Sequence, residues 1–138
     1  MAFINHFVIK GRLNDLNDYT NACRKNAYAG AKMKMGNEQI VRAHAQNALL
    51  RSHLRRASKY PVVIDITWYE KDARRDFDNI TFAQKFILDS LVQIKVLKDD
   101  SRKFVKKVNH DVLIDKENPR IEVVIKEAIE DGEQDQDS

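Results

Sequence analysis

The clearest pattern in the chain begins at Pro61, where Val62, Ile64, Ile66 and Trp68 alternate with Val63, Asp65, Thr67 and Tyr69. A period of two places the first set on one face of a β-strand and the second, more mixed set on the other. The strand runs out at Glu70-Lys71-Asp72. Beyond it, Ile80, Ala83, Ile87, Leu91 and Ile94 recur at helical spacing and predict a helix over 80–94 with one apolar stripe. Phe3 to Leu13 opens with apolar and β-branched residues and reads as a first strand. Phe104 to Ile114 and Arg120 to Ile129 read as two closing strands, joined by a turn through Asp115-Lys116-Glu117-Asn118-Pro119.

Between the first strand and Pro61 the pattern is helical. Asn14-Asp15-Leu16-Asn17-Asp18 offers N-cap chemistry, and the residues from about Tyr19 to Leu50 are rich in Ala, Lys, Met, Gln and Arg. Gly30 and Gly36-Asn37 are expected to interrupt this stretch, giving one kinked helix or two. Ile40, Ala43, Asn47 and Leu50 keep helical spacing, and Val41, Ala45 and Ala48 widen that face. The order β-α-β-α-β-β predicts a single α+β domain over residues 1–129, with helices packed on a mixed sheet.

Composition adds bounds. A chain of 138 residues, 43% hydrophobic and 33% charged, suits one domain with one core. No apolar run reaches the length of a membrane span and the N-terminus lacks the layout of a signal peptide, so a cytoplasmic protein with no membrane partner is expected. The single Cys23 excludes an internal disulfide and a cysteine-based zinc site. Charge is uneven: residues 1–60 hold 11 Lys/Arg against 3 Asp/Glu, residues 61–129 hold 13 against 13, and residues 130–138 hold none against 5. The basic first half is suited either to a nucleic-acid backbone or to solvated helix faces. The acidic tail, 130–138, is expected to be disordered, as a solubilising extension or a mimic of nucleic acid.

The candidate chemistry lies in Arg74-Arg75-Asp76-Phe77-Asp78-Asn79 and, after a helix-length gap, Asp99-Asp100. Gathered carboxylates repel one another unless a hard cation such as Mg²⁺ sits between them, and arginines at the rim suit a substrate made of phosphates. In an extended segment Asp76 and Asp78 point to the same side, with Phe77 turned into the core. Asn79 is placed to cap the following helix. Lys85 lies about two turns beyond Asp78, with Asp89 four residues further on the same face, which directs Lys85 toward the two acids. A chain reversal after Ile94 would return Asp100 to that pocket. D-x-D pairs are also common on surfaces and Asp-Asp often marks a turn, so ordinary surface charge stands beside the metal-site interpretation.

The run Arg74-Arg75-Asp76-Phe77-Asp78-Asn79, then Lys85 with Asp89-Ser90-Leu91, then Lys98-Asp99-Asp100, resembles the RusA family of Holliday-junction resolvases. That family carries an R-x-D-x-D-N motif, a K-x-x-x-D-A-L-like helix and a following D-D pair. The interval from Asn79 to Lys85 is longer than in enterobacterial-type members and is similar to the form found in phages and prophages of Gram-positive bacteria. Gly11-Arg12-Leu13 and Leu16-Asn17-Asp18-Tyr19 resemble the family's first strand and Asn/Tyr loop, without its prolines.

The resemblance implies a homodimeric, Mg²⁺-dependent endonuclease, with Mn²⁺ able to substitute, that nicks two strands of a four-way DNA junction symmetrically. It assigns Asp76, Asp78 and Asp100 to the metal and Lys85 to the scissile phosphate, with Asn79 and Asp99 behind them. Arg74, Arg75, Asn17 and Lys103 become the DNA contacts, with Lys106 and Lys107 more simply solubilising. A nuclease for flaps or other branched DNA, and a catalytically idle nucleic-acid-binding protein, are the competing functions. His6, His44, His53 and His110 show no metal-ligand spacing; His110 is expected on a strand away from Asp78, and Trp68 in the core.

Overall fold

A computed structural model describes residues 3–128. The elements run β1 (His6–Lys10), α1 (Leu16–Lys25), α2 (Ala27–Leu50), β2 (Val62–Glu70), α3 (Phe77–Thr81), α4 (Gln84–Gln93), β3 (Val105–Ile114) and β4 (Arg120–Lys126). The α+β class and the β-α-β-α-β-β order are as the hydrophobic pattern predicts, with each helical region divided in two. The acidic stretch 130–138 lies outside the described residues.

The four strands form one mixed sheet in the order β1-β4-β2-β3. β4 is antiparallel to both β1 and β2, whereas β2 and β3 are parallel. The closing strands are therefore not a hairpin: β3 takes one edge and β4 enters the middle. The inner face carries Phe7, Ile9, Ile64, Ile66, Trp68, Ile121, Val123 and Ile125, all buried beneath the helices. The outer face is held by polar pairs, among them Lys126 to Asp65 at 2.7 Å and Asn109 to Asp65 at 2.8 Å.

The helix breaks fall where backbone hydrogen bonding changes, not at the glycines. Asn26 takes an extended conformation, closes α1 through its N–H to Ala22 O and opens α2 by accepting Ala29 N on its side chain at 2.7 Å. Gly30 and Gly36 lie inside α2. Gly30 is needed for close approach: a Cβ there would stand 2.6 Å from Cys23 Sγ on α1. The buried stripe of α2 is Gly30, Asn37, Glu38, Val41, Ala45 and Ala48, so Ile40 and Leu50, expected on it, are exposed. The single helix expected over 80–94 is split at Phe82-Ala83, where short i→i+3 bonds run from Ala83 N to Ile80 O and from Lys85 N to Phe82 O.

Candidate metal and phosphate site

β2 ends on its inner face with Glu70, a carboxylate at an apolar position of the alternation and only 4% exposed. A buried charge requires a partner, and Arg75 supplies it. Its Nε and Nη2 donate to the two Glu70 oxygens at 2.8 and 2.7 Å, a two-pronged pair. Nη1 reaches Asp15 Oδ2 at 3.3 Å and Leu13 O at 3.4 Å. Burial opposes the Arg75 charge, yet these two carboxylates hold its pKa above the ordinary arginine value. Arg75, expected as a phosphate contact, is thus committed to the interior. Arg74 is the rim arginine: its side chain is 86% exposed, with Nε 3.7 Å from Asp72.

Asp76 is the N-cap position of α3 and Asp78 lies in its first turn, so the pair is not presented from an extended strand. Both are exposed, and so is Phe77, expected in the core. The reason is the early helix start, which turns Phe77 outward until its ring meets the edge of His110, centroids 6.3 Å apart. His110, on β3, therefore stands beside the residue between the two acids rather than away from them. Trp68 Nε1 donates to His110 Nδ1 at 3.0 Å, while Nε2 lies 2.8 Å from Gln84 Oε1. A neutral ring protonated on Nε2 satisfies both partners, and burial lowers the His110 pKa.

Asn79 does not cap α3. Its Nδ2 donates to Asp15 Oδ2 at 3.0 Å and its Oδ1 accepts Asn17 N at 2.9 Å, joining α3 to the start of α1. Asp15 caps α1 in a reciprocal box with Asp18. Asn17 is thereby placed near the site through its backbone, with its side chain exposed.

The second group of charges lines an open cavity of about 450 Å³ formed by Thr81, Phe82, Gln84, Lys85, Leu88, Asp89 and Asp100. Lys85 and Asp89 share a face of α4, as their spacing predicts. Asp100 returns to this cavity. Its pKa is raised, first by partial burial and then by the charges of Asp89 and Asp99, with its carboxyl in hydrogen-bond contact with Asp89. Lys34 of α2 pairs with Glu38 and reaches Asp89 at 3.3 Å, so the cavity's wall is tied to a second helix. A larger concavity of about 630 Å³ between α1 and α2 has Lys25, Lys32 and Asp18 at its rim but no comparable convergence of acids and lysine.

Asp76 and Asp78 do not line the Lys85 cavity, so the expected joining of all four residues in one pocket is not what the chain forms. Among the described residues, no three His, Cys, Asp or Glu side chains gather closely enough to hold a metal ion. Mg²⁺, however, keeps several waters and takes one or two protein carboxylates together with substrate phosphates. The Asp89–Asp100 contact and the exposed Asp76 and Asp78 fit a hydrated ion of that kind, not a dehydrated cage. Lys103 is exposed on the approach to β3, its Nζ 5.6 Å from the Phe104 ring centre, and Asp99 is exposed beside Asp100.

Glu70 was legible as a charge in an apolar register, and Asp15 as one half of a D-x-x-D cap. The tie of Lys34 to Asp89 carried no local signal, because only the packing of α2 on α4 brings the two together. Among the described residues, no helix is long and apolar enough to cross a membrane. No known family model matches the chain, and no curated protein matches it.

Proposed function

We propose that this chain is a RusA-like, Mg²⁺-dependent endonuclease that resolves four-way DNA junctions in recombination and repair, acting as a homodimer in the cytoplasm. The observation that carries the proposal is the open cavity lined by Lys85, Asp89 and Asp100, next to a short helix that begins with exposed Asp76 and Asp78. Carboxylates held together against their own repulsion are suited to a divalent cation, and a lysine among them is suited to a phosphate.

Asp76 and Asp78 at the start of α3, and Asp100 in the separate Lys85 cavity, are the carboxylates that would hold hydrated Mg²⁺. When bound, Mg²⁺ supplies Lewis-acid polarisation of a phosphoryl oxygen and an activated water. Lys85 meets the negative charge that grows on the phosphoryl group as water oxygen bonds to phosphorus and the bond to the departing sugar oxygen breaks. Arg74 and Lys103 are exposed cations for the flanking phosphates, contacts that set position without reading bases. Two symmetric cuts require two sites related by a two-fold axis, hence the homodimer.

The test is incubation with Mg²⁺ and labelled four-way, three-way, flap and linear duplex DNA. Paired symmetric nicks confined to the four-way junction are the expected result. Asp76→Asn and Asp78→Asn are each expected to abolish cutting while leaving junction binding intact. Preferential flap cutting would replace the resolvase by a flap nuclease, and binding without cutting by any wild-type preparation would leave an idle DNA-binding protein.

A further inference from the structure

Two side chains that flank the exposed acids dock on one buried carboxylate. Arg75 directly precedes Asp76 and Asn79 directly follows Asp78. Arg75 Nη1 and Asn79 Nδ2 both reach Asp15 Oδ2, at 3.3 and 3.0 Å. Asp15 is 7% exposed and sits in the connection between β1 and α1, as the N-cap of α1. Its other oxygen takes Asp18 N at 2.9 Å.

Resting on the proposed nuclease function, we infer that Asp15 is a positioning residue for the metal-binding acids: it grips the chain on both sides of Asp76-Phe77-Asp78 and fixes how the two carboxylates are presented. A helix of five residues does not hold its own conformation in water, so α3 depends on such anchors. Asp76 makes no capping bond with its side chain, and Asp78 is exposed. The order of the pair is therefore set by the backbone, and the backbone is set by its two neighbours. Glu70 holds Arg75 from one side, but among the described residues Asp15 alone hydrogen-bonds both ends of the turn.

Asp15 also caps α1, and the two roles separate by substitution. Serine is a good N-cap, so Asp15→Ser keeps α1 closed, but one short hydroxyl does not replace a carboxylate oxygen shared by Arg75 and Asn79. Asn79→Ala leaves the Asp15 cap untouched and removes one of the two bonds to Oδ2.

The full chain and both variants are titrated with Mn²⁺, binding being read by electron paramagnetic resonance. The same three proteins are assayed for junction cleavage against Mg²⁺ concentration and for junction binding in Ca²⁺. Asp15→Ser is expected to fold, to bind the junction as the wild type does, to lose about tenfold in Mn²⁺ affinity and to need correspondingly more Mg²⁺. Asn79→Ala is expected to lose part of the same affinity, an outcome that helix capping alone does not produce because both variants keep the cap on Asp18 N. Wild-type Mn²⁺ affinity in folded Asp15→Ser overturns the positioning role and leaves the nuclease proposal standing. A wild-type chain that binds no Mn²⁺ and cuts no junction overturns both.

Discussion

At the scale of single residues, chemistry follows from what each side chain is left free to do. Arg74 and Arg75 are adjacent and chemically identical, yet one is a solvent-exposed cation beside Asp72 and the other is locked between Glu70 and Asp15. Sequence identified both as arginines near acids; only the burial of Glu70 tells them apart, and that is a property of the sheet face. Arg75→Ala is expected to destabilise the fold by about 3–5 kcal/mol, since it strands a buried carboxylate, with urea unfolding as the check. Arg74→Ala is expected to leave stability unchanged and to weaken junction binding, with a shallower salt dependence by about one phosphate contact. Lys85→Ala is expected to slow cleavage by about 10²- to 10³-fold while binding persists, measured in single-turnover assays. Asp100→Asn removes the carboxylate that Asp89 and Asp99 oppose, so it is expected to raise the melting temperature while abolishing cleavage, a trade typical of strained functional sites.

At the scale of elements, strands were legible and helix boundaries were not. The alternation from Val62 to Trp68 fixes which face of β2 is buried, because a one-residue slip would expose Trp68. Helix ends depend on caps, and one asparagine outweighed two glycines: Asn26 both ends α1 and begins α2. Asn26→Ala is expected to cost about 1 kcal/mol through loss of the Ala29 bond, readable as a lower denaturant midpoint. The apolar stripe expected over 80–94 is real, since Ile80, Ala83, Ile87 and Leu91 are all buried. It survives the break at Phe82-Ala83 because both short helices lie on the same core. What the stripe concealed was the start of α3 at Phe77, which leaves Asp76 and Asp78 out of the Lys85 cavity and brings Phe77 to His110. Local periodicity carries no information about such a start.

At the scale of the whole molecule, the site sits where β2 ends, where the α1 cap meets α3, and where α4 meets the chain returning at Asp100. Burial links this region to pH through His110. Its folded pKa lies below that of the unfolded chain, so in the interval beneath about pH 6.5 the unfolded state binds the extra proton. Stability is therefore expected to fall as the pH drops below about 6.5 and to level off at the lower, folded value. His110→Gln is expected to flatten that slope in urea titrations across the same range. The sheet order has a separate bearing on biosynthesis. β1 pairs with β4, and β4 fills the place between β1 and β2, although it is the last of these four strands to leave the ribosome. The first strand must wait for residues 120–126 before its ladder forms, so until then the nascent chain holds α1 and α2 over an unfinished sheet. Ribosome-stalled chains ending before Arg120 are expected to be protease-sensitive, and chains long enough to free β4 from the exit tunnel to become resistant in a single step.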